Sequence, residues 1–202
     1  MLLSEIHHRV KNNLQNIIGL LSLYESKIED PHAKSYMKDV SGKIHSIALI
    51  HEQLYEVKEF EFTNMEEYFG ELTDYYNTLV GLTHNLKFEI DAKEIKLNIE
   101  TAIPLGVVCA ELISNSIKYA ETESDSLNLS IKLKRCENEG FCFEYRDNGK
   151  GYADDVLESE RTGMGLLLIK SMSRQLMADL EIENQNGAVT RLIFKEKEVS
   201  KV

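Results

Sequence analysis

Three groups of residues carry types and spacings from which chemistry can be built. The first is Glu5-Ile6-His7-His8-Arg9-Val10-Lys11-Asn12-Asn13, near the start of the chain. A neutral imidazole is a fair nucleophile near neutral pH, because its ordinary pKa is about 6.5. On a helix, Glu5 lies one turn before His8, where it can hold the ring or take its proton; Asn12 lies one turn after, where it can position a water or a phosphoryl oxygen. Arg9 and Lys11 add positive charge beside them. The second group is Glu111, Asn115 and Lys118, whose steps of four and three put them on one side of a helix. An amide oxygen such as that of Asn115 suits Mg²⁺, which takes hard oxygen ligands and shares them with phosphates, and Lys118 can reach a phosphate. The third is Asp147-Asn148-Gly149-Lys150-Gly151 with Gly163-Met164-Gly165. A carboxylate at Asp147 can accept from an adenine amino group while Gly149 and Gly151 let backbone and base approach closely. Gly163 and Gly165 open a helix, where phosphate oxygens meet backbone N–H groups.

Taken singly, each group has an ordinary explanation. A histidine on a helix is usually just solvated, D-x-G-x-G is often a plain turn, and N-x-x-K is often a wet helix face. Their order on one chain is what gives them weight.

The elements that must position these residues follow from periodicity. Leu3, Ile6, Val10, Leu14, Ile17, Leu21, Tyr24 and Ile28 recur at steps of three or four, one seam of a long helix. That seam sorts the neighbouring histidines: His7 falls along the apolar stripe, whereas His8 falls on the wet face with Ser4, Glu5, Lys11, Asn12 and Gln15. His8 is therefore the candidate nucleophile. Glu29-Asp30-Pro31 breaks the helix, and Met37, Val40, Ile44, Ile47, His51 and Leu54 continue in a second. Two such helices make an antiparallel hairpin, and pairing two copies into a four-helix bundle buries the remaining seam, so a homodimer is expected.

Beyond residue 60 the pattern changes. Asn64 can cap a helix from Met65 to about Val80, and Leu86 to Ile90 alternates as a strand. Asn98 to Thr101 lead into a helix whose first turn accommodates Pro104. Leu127–Leu133, Phe141–Tyr145, Leu180–Glu183 and Val189–Phe194 read as strands, Gly165–Met177 as a helix, and Asn186-Gly187 as a hairpin turn. The expected class is α+β, a hairpin over residues 1–58 followed by an α/β sandwich over residues 59–202.

Bulk composition narrows the partners. The 202 residues carry 23 basic and 34 acidic side chains, a net charge of −11, which argues against a general nucleic-acid binder. No run of about 18 apolar residues offers a membrane span. Cys109, Cys136 and Cys142 form no C-x-x-C pair, which reads as reduced, buried cysteine in a cytoplasmic protein. Met1 stands inside a helical pattern, so an upstream sensory region is expected.

At these residues the chain resembles the sensor histidine kinases of two-component signalling, and more narrowly the HWE group and its relatives, whose phosphoacceptor box H-R-x-K-N is His8-Arg9-Val10-Lys11-Asn12 here. The second part resembles the Bergerat (GHKL) ATP-binding domain shared with gyrase and MutL: Glu111 and Asn115 match its N box, with Lys118 and Tyr119 following as nucleotide contacts. Asp147, Gly149 and Gly151 match its first glycine box, Gly163 and Gly165 its second, and Thr190 a position that supports adenine recognition through water. The resemblance implies ATP and Mg²⁺ as cofactors, autophosphorylation of His8, and transfer to an aspartate on a response regulator receiver domain. Arg9 stands where commoner members carry an acidic base, leaving Glu5 and Glu111 as candidates. The segment from Gly151 to Gly163 is short and lacks phenylalanine, and Ala110 stands where relatives often carry asparagine. The rival readings are a serine kinase of the anti-sigma kind on the same fold, a histidine phosphotransfer protein, and a phosphatase acting on the regulator.

Overall fold

The computed structural model describes residues 2–56, 62–81, 85–120, 126–136, 140–152 and 163–197; the side chains of residues 2–5, 7, 8 and 54–56 lie outside that description. Helices α1 (Leu2–Glu25) and α2 (Pro31–Glu56) form the antiparallel hairpin. Pro31 opens α2, where a missing N–H costs nothing, and the Asp30 carboxylate accepts from His32 N at 3.0 Å. Then come β1 (Phe62–Asn64), α3 (Met65–Val80), β2 (Leu86–Asp91), β3 (Lys96–Asn98), α4 (Ile99–Tyr119), β4 (Leu127–Cys136), β5 (Gly140–Asp147), α5 (Met164–Gln175), β6 (Asp179–Asn184) and β7 (Ala188–Lys195).

Five strands make one sheet in the order β2-β4-β5-β7-β6, parallel only at β2–β4, and β1 pairs β3 antiparallel beside it. Alternation along β4, β5 and β7 sends Leu129, Ile131, Phe143, Tyr145 and Leu192 into the core under α3, α4 and α5. The opposite face is polar, with Arg191 Nε 2.7 Å from Glu144 and its NH1 3.3 Å from Glu181. This two-layer α+β arrangement is the expected class.

Caps set the helix starts. Asn64 accepts from Glu66 N at 3.1 Å, and Asn98 accepts from Thr101 N at 3.0 Å while its amide donates to Lys197 O at 2.6 Å. Because Asn98 starts α4 at Ile99, Pro104 sits in the second turn, not the first as its sequence suggests. The cap and the tie to the chain's end outweigh the one helical hydrogen bond that Pro104 cannot donate. Among the cysteines only Cys109 is fully buried, and burial pushes its thiol well up; Cys136 and Cys142 are half-buried, toward the connected end of the β4–β5 pair.

Helix α2 packs on two sides. Ile44 and Ile47 are half-buried along the expected seam, but the most buried face runs through Ser41, Gly42, Ser46, Leu49, Ile50 and Gln53, and Leu49 and Ile50 belong to the same apolar core as α3 and α4. Gly42 and Gly106 permit the close approach: a Cβ on Gly42 would stand 2.8 Å from Tyr76 Oη, and one on Gly106 would stand 2.2 Å from Tyr68 Oη. On the outer side of the hairpin Leu20, Leu23, Tyr24 and Tyr36 are exposed in the single chain. Among the described residues no helix is long and apolar enough to cross a membrane.

Candidate functional site

The site is built around the last three turns of α4. Glu111 is buried, and its Oε2 lies 2.6 Å from Lys43 Nζ of α2. Its Oε1 faces the start of α5: a Cβ added to Gly165 would stand 1.9 Å from Glu111 Oε1 and 3.4 Å from Asn115 Oδ1. A carboxylate oxygen and an amide oxygen thus flank a backbone that only glycine can provide. Gly163 is the N-cap of α5 and makes no side-chain cap, so the first amides of that helix face the same corner.

The second corner is Asp147, at the end of β5. Its carboxylate is buried, and Oδ1 accepts from Gly149 N at 2.9 Å and Ala188 N at 3.0 Å, while Oδ2 accepts from Ser116 Oγ at 2.7 Å. Tyr145 Oη donates in turn to Ser116 Oγ at 3.0 Å. Burial holds the Tyr145 phenol well above its ordinary pKa, so it is a neutral donor. The relay Tyr145–Ser116–Asp147 ties β5 to α4 and fixes the carboxylate in one orientation. Gly149 presses on the end of α4, where a Cβ would meet Ala120 Cβ at 2.6 Å, and Gly151 adopts φ +84° against the Asn184 amide. That amide clamps the backbone of Tyr152 from both sides, accepting from its N–H and donating to its C=O, each at 2.8 Å. Thr190 is buried beside Tyr145 on β7, and its hydroxyl lies 3.2 Å from Tyr152 Oη.

The fold therefore brings together Glu111, Asn115 and Gly165 at one corner, and Asp147, Gly149, Gly151 and Thr190 at the other. Lys118 points to α2 and pairs with Asp39. Tyr119 is exposed at the end of α4. Asn12 is exposed on α1 but not without a partner, and the side chains of Glu5 and His8 lie outside the described residues, although both positions are helical. Sequence reasoning missed Ser116, Tyr145, Asn184 and Ala188. Ser116 does carry a signal, a hydroxyl one residue after Asn115 and so about 100° round the helix toward β5.

The residues fit a nucleotide with a divalent cation. Among the described residues no cluster of three or more His, Cys, Asp or Glu would hold a metal alone. Glu111 and Asn115 instead offer two hard oxygens beside a glycine-rich helix start, the donor set of a cation that shares its shell with phosphates.

Gly187 supports the Asp147 corner. It adopts φ +130°, and a Cβ there would stand 2.0 Å from Asp147 O. A Gly187→Ala variant is expected to lose about 2 kcal/mol of stability, a Tm lower by about 4–8 °C, because backbone strain adds to the clash. A wild-type Tm in thermal unfolding would contradict this.

Comparison with known proteins agrees with this geometry. A family model described as "Histidine kinase" matches residues 5–80, and one described as "Histidine kinase-, DNA gyrase B-, and HSP90-like ATPase" matches residues 100–198. The sensor histidine kinase PdtaS of Mycolicibacterium smegmatis is 24% identical over 169 residues, 83% of this chain and 34% of that protein. Blue-light-activated histidine kinase 2 of Erythrobacter litoralis is 20% identical over 184 residues, 89% of this chain and 52% of that protein. The chain thus spans about a third to a half of the length of these relatives. In structure, the histidine kinase domain of a blue-light activated histidine kinase from Erythrobacter litoralis is similar with a TM-score of 0.68 at 18% identity, covering 95% of this chain and 92% of that one, which is a likeness of fold. Matched in series over its helical hairpin and over the ATPase-like domain that follows, the chain belongs to the histidine kinases.

Proposed function

We propose that this chain is the catalytic core of a cytoplasmic sensor histidine kinase that binds ATP with Mg²⁺, phosphorylates itself on His8, and passes the phosphoryl group to an aspartate of a response regulator receiver domain. The observation that carries the reading is the buried Asp147 carboxylate, fixed by Gly149 N, Ala188 N and the hydroxyl of Ser116, which lies on the helix that also holds Glu111 and Asn115. Residues 1–58 serve as the dimerisation and phosphotransfer hairpin and residues 59–202 as the ATP-binding domain. The exposed Leu20, Leu23 and Tyr24 favour a homodimer through the hairpin.

In this reading Asp147 accepts from the adenine amino group, with Thr190 beside it, while Gly149 and Gly151 admit the base. The amides after Gly163 and Gly165, together with Lys118, hold phosphate oxygens; Tyr119 borders the nucleotide. Asn115 and Glu111 would hold Mg²⁺, whose charge when bound offsets that of the phosphates. A ring nitrogen of His8 directs its lone pair in line at the γ-phosphorus; the N–P bond forms, the bond to the bridging oxygen breaks, and ADP departs with that electron pair. The proton on the other ring nitrogen passes to Glu5 or Glu111, and Asn12 orients a phosphoryl oxygen.

Incubation with γ-labelled ATP tests the proposal. Label that is acid-labile and base-stable is expected, as for a phosphoramidate. Acid-stable label would make the chain a hydroxyl kinase on the same fold, and nucleotide binding with no label at all would sink the autokinase reading.

A further inference from the structure

Helix α2 carries two charged residues to which the sequence assigns no chemistry, and both meet the ATP-site face of α4. Asp39 accepts from Ser114 Oγ at 2.8 Å and pairs with Lys118 Nζ. One turn further, Lys43 Nζ lies 2.6 Å from Glu111 Oε2. These charges are well shielded: side-chain exposure is 25% for Lys118, 13% for Asp39 and 5% for Glu111. Around them Tyr76 Oη donates to Ala110 O at 3.0 Å, and the glycines at 42 and 106 let the elements close up. The seam is nevertheless not sealed. A cavity of about 200 Å³ lies beside the Asp39–Lys118 pair, lined also by Ser35, Lys38, Leu79 and Ile117.

The height of this contact on the hairpin matters. Lys11 of α1 pairs with Glu52 of α2, so position 8 on the antiparallel α1 stands about level with position 55. Lys43 lies 12 residues below that level, which at about 1.5 Å per residue is roughly 18 Å along the axis. In-line attack needs reacting atoms about 3–3.5 Å apart. A nucleotide on the Glu111–Asn115 face, docked as here, would sit far from position 8.

Resting on the function proposed above, we infer that Asp39 and Lys43 form a latch: the Asp39 carboxylate occupies the Lys118 ammonium that a nucleotide phosphate would otherwise claim, and so holds the ATP-binding domain in a resting dock low on the hairpin. Nucleotide and latch compete for one ammonium. By linkage, nucleotide weakens the dock by the same factor by which the dock weakens nucleotide binding. Release frees the domain to move along α2 toward His8.

An Asp39→Asn variant removes the charge while keeping an acceptor for Ser114. Titrated with ADP, it is expected to bind about tenfold tighter than wild type, within the range of ordinary coupling between sites. In a Lys118→Gln background the same substitution gives no gain, since the contested ammonium is gone. Equal or weaker binding by Asp39→Asn, or the same gain without Lys118, would overturn the latch. Amide hydrogen exchange without nucleotide reads the dock separately: Asp39→Asn should speed exchange in residues 34–44 and 111–119, and unchanged exchange overturns the latch as well. If no variant binds ADP, the ATP-site reading fails and with it the competition, while the exchange result still decides whether Asp39 holds the dock.

Discussion

A His8→Gln variant is expected to take up no label from γ-labelled ATP while binding ADP as wild type does. The expectation rests on helix phase and on what each nitrogen can do. Position 8 lies in α1, one turn from Asn12, and Asn12 and Gln15 are exposed, so that side of the helix is open to an incoming phosphoryl group. Imidazole keeps a free lone pair on one ring nitrogen at neutral pH. The glutamine amide nitrogen has none to give, because its electrons are delocalised onto the carbonyl. Glutamine is also a good helix former, so α1 is preserved. The ATP site is built from α4, β5, β7 and α5 and contains no α1 residue, so ADP affinity stays within about twofold of wild type if the two parts act independently. The loss is therefore in the acceptor and not in nucleotide binding. Label that persists in His8→Gln at the wild-type rate would move the acceptor elsewhere, His7 being the nearest alternative. The base is tested at Glu5, which has no part in holding the metal: if Glu5 takes the proton, Glu5→Gln slows labelling by about a hundredfold, and wild-type labelling in Glu5→Gln leaves Glu111 as the base.

What could be read from the sequence was what local chemistry determines. Asn64 caps the helix it precedes because the cap is a bond between near neighbours. Glu111, Asn115, Asp147 and the glycines were legible because their types and spacings are tied to one element or one turn each. The missing part is mostly non-local. Ser116 and Asp147 are 31 residues apart and Asp39 and Lys118 are 79 apart, and only the packing of α4 against β5 on one side and α2 on the other brings them together. The inner face of α2 escaped periodicity for a different reason. Beside Leu49, Ile50 and Gln53 it is made of Ser41, Gly42 and Ser46, small residues whose value is close approach, and a count of large apolar side chains passes over them. Pro104 was misplaced because a proline signals an early turn on average, while here a strong cap six residues earlier decides where the helix begins.

The second large effect is expected at Asp147, where asparagine and alanine should separate recognition from folding. A carboxylate offers about four acceptor sites. Three are used inside the protein, by Gly149 N, Ala188 N and Ser116 Oγ, which leaves one for an adenine amino group. In Asp147→Asn the remaining oxygen still serves Gly149 and Ala188. The amide nitrogen takes the place of Oδ2 and donates to Ser116, whose hydroxyl then turns to Tyr145, a neutral phenol that can accept. The internal network survives in reversed polarity, so Tm should change by only a few degrees. The base, however, now meets a donor where it needs an acceptor. A lost charge-assisted hydrogen bond of about 1.5–3 kcal/mol weakens ADP binding by about ten- to a hundredfold. Asp147→Ala removes all three internal acceptors and strands two backbone amides and a hydroxyl in a buried site. At about 1 kcal/mol or more each, it should lose several kcal/mol of stability along with the nucleotide. Calorimetric titration with ADP beside thermal unfolding distinguishes the two variants. Wild-type affinity in Asp147→Asn would mean that this carboxylate holds the fold together and does not read the base; wild-type stability in Asp147→Ala would mean that the three internal bonds do not hold the turn.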